Sequence, residues 1–365
     1  MGLFFYFQKL VIKRIFMESR SKYRALVWIF VPLSVLSLIL PICLGSVFVA
    51  PGTVMDVIFS HIPFLEPLVK GEVTKMDVNI VWKMRLPRVL LGFIVGASLA
   101  VCGVCMQALV RNKLADPFVL GVSSGASAFA SMFMVFGVFG FLGKYALPLT
   151  AFGGALVSIV FIYIIARVRG RVNVPQMLLA GVAVSMIMDA FTTYTSVAAP
   201  NAFKLYNVNF WLSGSLIGAK WEYLSMPAGV MLICLVYLMI RYRALNVLMM
   251  GEETAGTLGI NPAAMQRMLI LISSLLAGIA ISVSGSIGFV GMMVPHICRL
   301  LVGSDHKKVL PLSALFGGVL VVWADVVART VVAPDEIAVG VVTAFVGAPF
   351  FLIILKNKNA TRTMN

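Results

Sequence analysis

Long apolar runs recur along this chain, at residues 25–48, 87–110, 115–136, 146–166, 175–197, 223–240, 265–284, 287–303, 309–331 and 337–355. An apolar run of about 20 residues is what a helix needs to cross the hydrocarbon of a bilayer. Ten of them in a chain of 365 residues leave almost nothing from which to build a water-soluble core. With 61% hydrophobic and 12% charged residues, the apolar side chains cannot all be hidden inside one soluble globule. The fold expected is an all-α polytopic membrane protein with about ten transmembrane helices. The run at 287–303 is short for a span and carries Pro295 and His296.

An even number of crossings puts both termini on one side, and the cations say which. Of the 29 Lys and Arg residues, 20 fall on the side of the termini and 9 on the other. By the positive-inside rule the termini are cytoplasmic. Residues 1–24 then form a basic cytoplasmic arm, 25–355 the membrane domain and 356–365 a cytoplasmic tail. The first run is longer than a signal-peptide core and has no small-residue cleavage site, so it is expected to be retained as a span. The net charge of +15 encodes topology and not nucleic-acid binding, and the first partner is the bilayer.

The rule has one local exception. Five of the nine outer cations, Lys70, Lys75, Lys83, Arg85 and Arg88, crowd into the first outer loop, three of them within VWKMRLPRVLLGF at 81–93.

Several chemistries are missing. No G-x-x-x-x-G-K-[ST] phosphate loop occurs, and the nearest approach, GVFGFLGKY, has the wrong spacing and a Tyr after the Lys. ATP, if it drives this protein, is bound by another chain. His61, His296 and His306 are scattered, and all five cysteines lie in apolar runs, so Cys102 and Cys105 are read as small packed hydrophobes. No metal site, catalytic set or bound cofactor is expected. Away from the starts of the runs only Asp189 and Asp325 are acidic, fewer than a proton-coupled carrier would be expected to show, and Asp325 stands four residues before Arg329.

Small residues recur at helical spacing. Gly92-x-x-x-Gly96, Gly121-x-x-x-Gly125 and the series Gly285, Gly288, Gly291 let backbones approach closely in lipid. One cytoplasmic stretch differs from the other connections: in ALNVLMMGEETAGTLGINPAAMQR, residues 244–267, Glu252 to Thr254 can start a short helix, Gly259 can end it and Pro262 can open the next span. A polar-capped helix too short to cross suits docking to a soluble partner, and it also reads as an ordinary connection.

The runs RLPRVLLGFIVGASLAVCGVCMQALVRNKLADPFVLGVSSGA, MLLAGVAVS, GEETAGTLGI, GSIGFVGMMVPHICRLLVG and ADVVARTVVAPDEIAVGVVTAFVGAPFF, in order between Val81 and Leu355, closely resemble the FecCD/BtuC-type permease subunits of type II ABC importers. That group takes up iron-siderophores, heme and vitamin B12. The resemblance implies a pair of permeases, identical or similar, with ten helices each, two cytoplasmic ATPase subunits that use ATP and Mg, and an extracytoplasmic substrate-binding protein. The setting it implies is a bacterial cytoplasmic (inner) membrane. It makes residues 248–262 the coupling region, with Glu252, Glu253, Thr254, Ala255, Leu258 and Gly259 contacting the ATPase. It sets the inner gate at two cytoplasmic turns, Asn112 to Leu114 in RNKLADP and Asn173 to Val174 in RVNVPQM. Relatives commonly have R-N-P-L where this chain has R-N-K-L, so Lys113 adds a charge beside the gate.

The same resemblance implies that Arg85 and Arg88 of R-L-P-R, with Arg329 of A-D-x-x-A-R, receive glutamates of the binding protein. Arginine's fork suits a carboxylate, and charged partners steer an encounter. Lipid phosphates for Arg85 and Arg88, and Asp325 for Arg329, are the competing partners. Lys83 has no such role and is expected to be a solvated or lipid-facing charge. NFWLSGSLIGAKW, residues 209–221, resembles the W-L-x-G-S-L form of iron-siderophore and heme permeases, so an iron(III)-siderophore-type chelate is the expected cargo, with heme or cobalamin as the alternative. An autonomous secondary carrier remains the reading from a different class, and residues 251–259 discriminate, since a carrier has no use for them.

Overall fold

The computed structural model describes residues 29, 31–45, 47–168 and 171–362, so the basic arm expected at 1–24 lies outside the described residues. Helix α1 spans Val31–Cys43, α2 Pro51–Ser60, and α3 Lys75–Val110. Then come α4 Val122–Phe136, α5 Ala146–Ala166, α6 Val174–Val197 and α7 Ala202–Leu212. They are followed by α8 Ser225–Ile240, α9 Tyr242–Leu248, α10 Glu252–Thr257 and α11 Pro262–Ser284. The last three are α12 Val290–Val302, α13 His306–Thr330 and α14 Val339–Arg362. A two-residue antiparallel ladder pairs Arg167–Val168 with Arg171–Val172 between α5 and α6.

Each apolar run contains a helix, but the helices are not equal. Seven among the described residues are long and apolar enough to cross a membrane, while α1, α4 and α12 are shorter. At 13 residues α12 is about 20 Å long, too short for a hydrocarbon core of about 30 Å. Phe289, at φ 67°, starts it and Gly303, at φ 80°, ends it. The run at 287–303, expected to be short for a span, thus holds a short helix entered through an irregular segment. At the other end of the chain, α14 continues as helix to Arg362, beyond the boundary expected at 355.

The starts of several helices follow from local chemistry. A helix leaves its first N–H groups unpaired, and Asn or Asp before the first turn accepts from one of them. Asn173, Asn201, Asn261 and Asp305 do so for α6, α7, α11 and α13, with the Asn201 side chain accepting from Lys204 N at 2.9 Å. Within α3 the segment Val78–Arg85 is wound as a π-helix. Pro87 cannot donate to the carbonyl four residues earlier, and the turns leading into it are wide.

Helix α3 is the axis of the bundle, buried along nearly its whole length from Val89 to Leu109. In lipid, helices gain nothing by hiding apolar surface, so close van der Waals contact holds them together. Gly96 lies against the carbonyl of Gly317 on α13, and Gly103 against that of Gly291 on α12, where a Cβ would collide with the facing backbone. The exposed helices are α6, α8 and α14.

Candidate functional site

Chemistry-bearing side chains gather at the two ends of α3. At the outer end the structure brings Arg85, Arg88 and Arg329 into one cluster around Asp325 and the end of α1. Arg88 grips Asp325 through Nε, at 2.9 and 3.1 Å, and through Nη2 at 2.8 Å. Its Nη1 and Nη2 also donate to the two oxygens of Glu336 at 3.2 and 2.8 Å. Arg329 Nε lies 3.5 Å from the second oxygen of Asp325, and its Nη2 donates to the Pro41 carbonyl at 2.7 Å. Arg85 Nη1 donates to the carbonyls of Ile42 and Cys43 at 2.8 and 3.2 Å, and Nη2 to that of Val47.

The last carbonyls of a helix have no partner inside it and favour a nearby cation. Arg85 and Arg329 fill that role for α1. As a result Arg85 is 8% and Arg329 4% exposed, and neither presents a free fork outward. Only Arg88 reaches the rim, through Glu336, whose side chain is 30% exposed. In the protomer the end of α1, Asp325 and Glu336 occupy the three forks expected to receive glutamates of a binding protein, Asp325 being the competing partner already named for Arg329. The exposed cations of the loop are Lys70, Lys75 and Lys83.

At the inner end, α3 stops at Arg111, in the left-handed conformation at φ 53°. Asn112 then closes a tight turn: its side-chain oxygen accepts from Leu114 N at 3.1 Å and its carbonyl from Ala115 N at 3.1 Å. Lys113 projects from this turn, exposed, without disturbing it. Asp116 caps the following turn by accepting from Phe118 N at 2.8 Å; burial pushes its carboxyl up, against that bond. Asn173, capping α6 with Val174 as its first residue, accepts from Gln176 N at 3.1 Å and follows the short ladder.

The short helix expected at Glu252 is α10, six residues long. Gly251 at φ 121° enters it, and Gly259 at φ 77° leaves it, a backbone that suits glycine. Ala255 is fully buried and anchors it, whereas Glu253, Leu258 and Gly259 are exposed and Thr254 lies between these extremes. Glu252 faces back: one of its oxygens accepts from Arg111 Nη2 and, at 3.1 Å, from Gln266 Nε2 on α11. One carboxylate thus joins α10 to the end of α3 beside the Asn112 turn.

A second connection was not foreseen. Asn246 on α9 donates to Asp305 at 2.8 Å and accepts from the His306 backbone N–H at 2.9 Å, with His306 Nδ1 2.6 Å away. Arg299 donates through Nε to Gln107 at 3.3 Å, and its Nη2 lies 3.5 Å from His306 Nε2. Gln107, Arg299 and His306 are all buried. The available signal was a Gln and an Arg inside apolar runs; their convergence depends on the packing of α3 against α12. His296 makes an edge contact with Phe350, ring centres 6.2 Å apart. Among the described residues no group of three or more His, Cys, Asp or Glu side chains could hold a metal ion.

The profile of the FecCD transport family matches residues 33–357, almost the whole chain. The chain belongs to the FecCD transport family. It is a multi-pass membrane protein, and as a FecCD protein it is an ABC transport permease. It is 40% identical over 293 and 279 residues to two archaeal permeases, of which the second is the cobalamin import system permease protein BtuC of Halobacterium salinarum, aligned over 76% of this chain and 74% of that one. It is 38% identical to the Fe(3+)-citrate import system permease protein YfmD of Bacillus subtilis, over 76% of this chain and 81% of that one. Its fold is similar to that of a metal-chelate type ABC transporter solved in an inward-facing conformation, with a TM-score of 0.78 and 26% identity over 92% of this chain and 99% of that one.

Proposed function

We propose that this FecCD permease is one of a pair, a second copy or a similar chain, that works with two cytoplasmic ATPase subunits and an extracytoplasmic binding protein. It sits in a bacterial cytoplasmic membrane with both termini inside, the distribution of Lys and Arg being the support for that orientation. Its cargo is an iron(III)-siderophore-type chelate. The observation that carries the reading is α10: Glu253, Leu258 and Gly259 offer an exposed surface for an ATPase, while Glu252 behind them is tied to Arg111 at the start of the Asn112 turn. Movement of α10 is thereby passed to the inner gate formed by Asn112, Leu114, Asn173 and Val174. ATP and Mg act in the partner subunit, and this chain binds no cofactor of its own.

The docking role of the arginines is proposed with Arg88 as the first contact, where an incoming carboxylate replaces Glu336. Arg85 and Arg329 join only by leaving the carbonyls at the end of α1, so they act first as its scaffold. Lys83 and its exposed neighbours add long-range attraction, which salt screens.

Reconstitution tests the reading. Vesicles holding the permease pair, the ATPase and the binding protein should accumulate ferric chelate only with ATP, and a Gly259→Val variant should lose uptake together with ATPase association. Uptake that persists in vesicles lacking the ATPase would falsify it. The similarity to a cobalamin permease favours cobalamin as the second reading, with heme also in view. Titrating ferric chelates, heme and cobalamin onto the binding protein separates the three.

A further inference from the structure

Two acidic residues that the apolar runs enclose, Asp325 and Asp189, stand in opposite circumstances. Asp325 is buried between Arg88 and Arg329. Asp189, on α6, is exposed, and among the described residues its carboxylate has no hydrogen-bond or ionic partner; its backbone carbonyl accepts from the Thr193 hydroxyl at 2.9 Å. Counting along the helix, Asp189 lies about 12 Å from the outer end of α6, well inside the apolar zone.

Three membrane-length helices leave most of their surface outside the protomer, and their exposed chemistry differs. Helix α8 exposes Leu232, Ile233, Val236 and Ile240, and α14 exposes Phe345, Val346, Leu352 and Ile353. Both faces suit lipid. Helix α6 also exposes Met186 and Ile187, but it alone of the three adds a carboxylate at mid-depth, with the small residues Ala183 and Ala190 and the Thr193 hydroxyl beside it. A charged group in contact with acyl chains is costly, and such residues face a bundle interior or a water-filled cavity. Among the described residues nothing covers this one, so water or a partner must.

We infer that Asp189 faces the cargo route between the two permeases and there selects by charge, favouring chelates that carry an ammonium or similar donor over anionic ones. The inference rests on the importer reading above. An unpaired carboxylate lowers the energy of a cation passing within several ångströms and raises that of an anion, and the low-dielectric walls of a membrane channel strengthen both effects. Thr193, one turn further out on the same face, offers a hydroxyl to the same passing group.

The test reads the local field directly and needs no knowledge of the natural cargo. In the assembled importer in neutral-lipid vesicles, Thr193→Cys is exposed to methanethiosulfonates bearing either a trimethylammonium or a sulfonate group, with labelling of the five native buried cysteines subtracted. Val236→Cys on α8 is the lipid-facing control, and Ala190→Cys replaces the Thr193 variant if that one fails to assemble. The expected result is labelling at α6 and none at position 236. The cation-to-anion rate ratio should drop about tenfold when Asp189→Asn is added, the scale of one charge acting across a partly hydrated gap, and should be kept in Asp189→Glu. A cysteine on α6 no more reactive than the control, or a ratio indifferent to Asp189→Asn, overturns the inference. ATP-driven uptake is measured in the same vesicles. Uptake with a silent α6 cysteine removes only the role of Asp189, whereas uptake that needs no ATPase removes the importer reading itself.

Discussion

Helix α3 carries an arginine at each end, and both are bound to carboxylates of distant elements. At the outer end Arg88 and Asp325 have side chains 11% and 2% exposed; at the inner end Arg111 and Glu252 are 39% and 46% exposed. The first pair is sealed among α3, α13 and the end of α1, where removing one partner leaves uncompensated charge. The second is half in water, where an ion pair adds little to stability and can part at little cost. The outer pair therefore fixes the bundle, and the inner one can follow a moving partner.

The sharpest way to break this contrast is at Asp325. Asp325→Asn leaves Arg88 with Glu336 alone and Arg329 without a carboxylate, and is expected to cost about 3–5 kcal/mol, read as a fall in thermal stability of the purified protein. Arg85→Leu comes next. It strips two carbonyls at the end of α1 and that of Val47 beyond it of their charged donor, for a loss of about 2 kcal/mol by the same measurement, and Arg85→Lys recovers only part because one ammonium cannot span them.

At the inner end the expectation inverts. Glu252→Gln should change stability by less than about 1 kcal/mol while lowering ATP-driven uptake roughly tenfold, a coupling energy of ordinary size. Exchanging the charges, Arg111→Glu with Glu252→Arg, should restore part of the uptake. If Glu252→Gln unfolds the protein as readily as Asp325→Asn, the two ends are not different in kind. The smallest effect belongs to Glu253→Gln on the exposed face of α10, within about 0.5 kcal/mol of the parent in stability. Its consequence should be weaker ATPase association, with a shallower dependence on salt.

Much of this was legible in advance because lipid leaves few options. A long apolar run in a bilayer must be helical, so the runs located the helices, and Gly251, Gly259 and Pro262 bounded α10 by their backbone preferences alone. The irregular entry into α12 was not legible, since hydropathy does not distinguish residues 287–289 from the helix that follows them. Nor was the fate of the arginines. R-L-P-R announces two arginines three positions apart on one helix, but what they meet depends on Ile42 and Cys43 returning from some forty residues earlier and Asp325 from more than two hundred later.

The sequence by itself determined that this chain is a helical membrane protein of many apolar runs, and its charge distribution and local pattern are what the proposed orientation and the proposed docking segment rest on. These are properties of composition and local pattern, and they hold whatever packs against what. Only the tertiary structure decided which charges are spent and which are free: Asp325 and Asp189 are the same residue in similar apolar surroundings, yet one is enclosed by two guanidiniums and the other stands open. A carboxylate's role depends on what is within a few ångströms of it, and that is set by the contacts among helices.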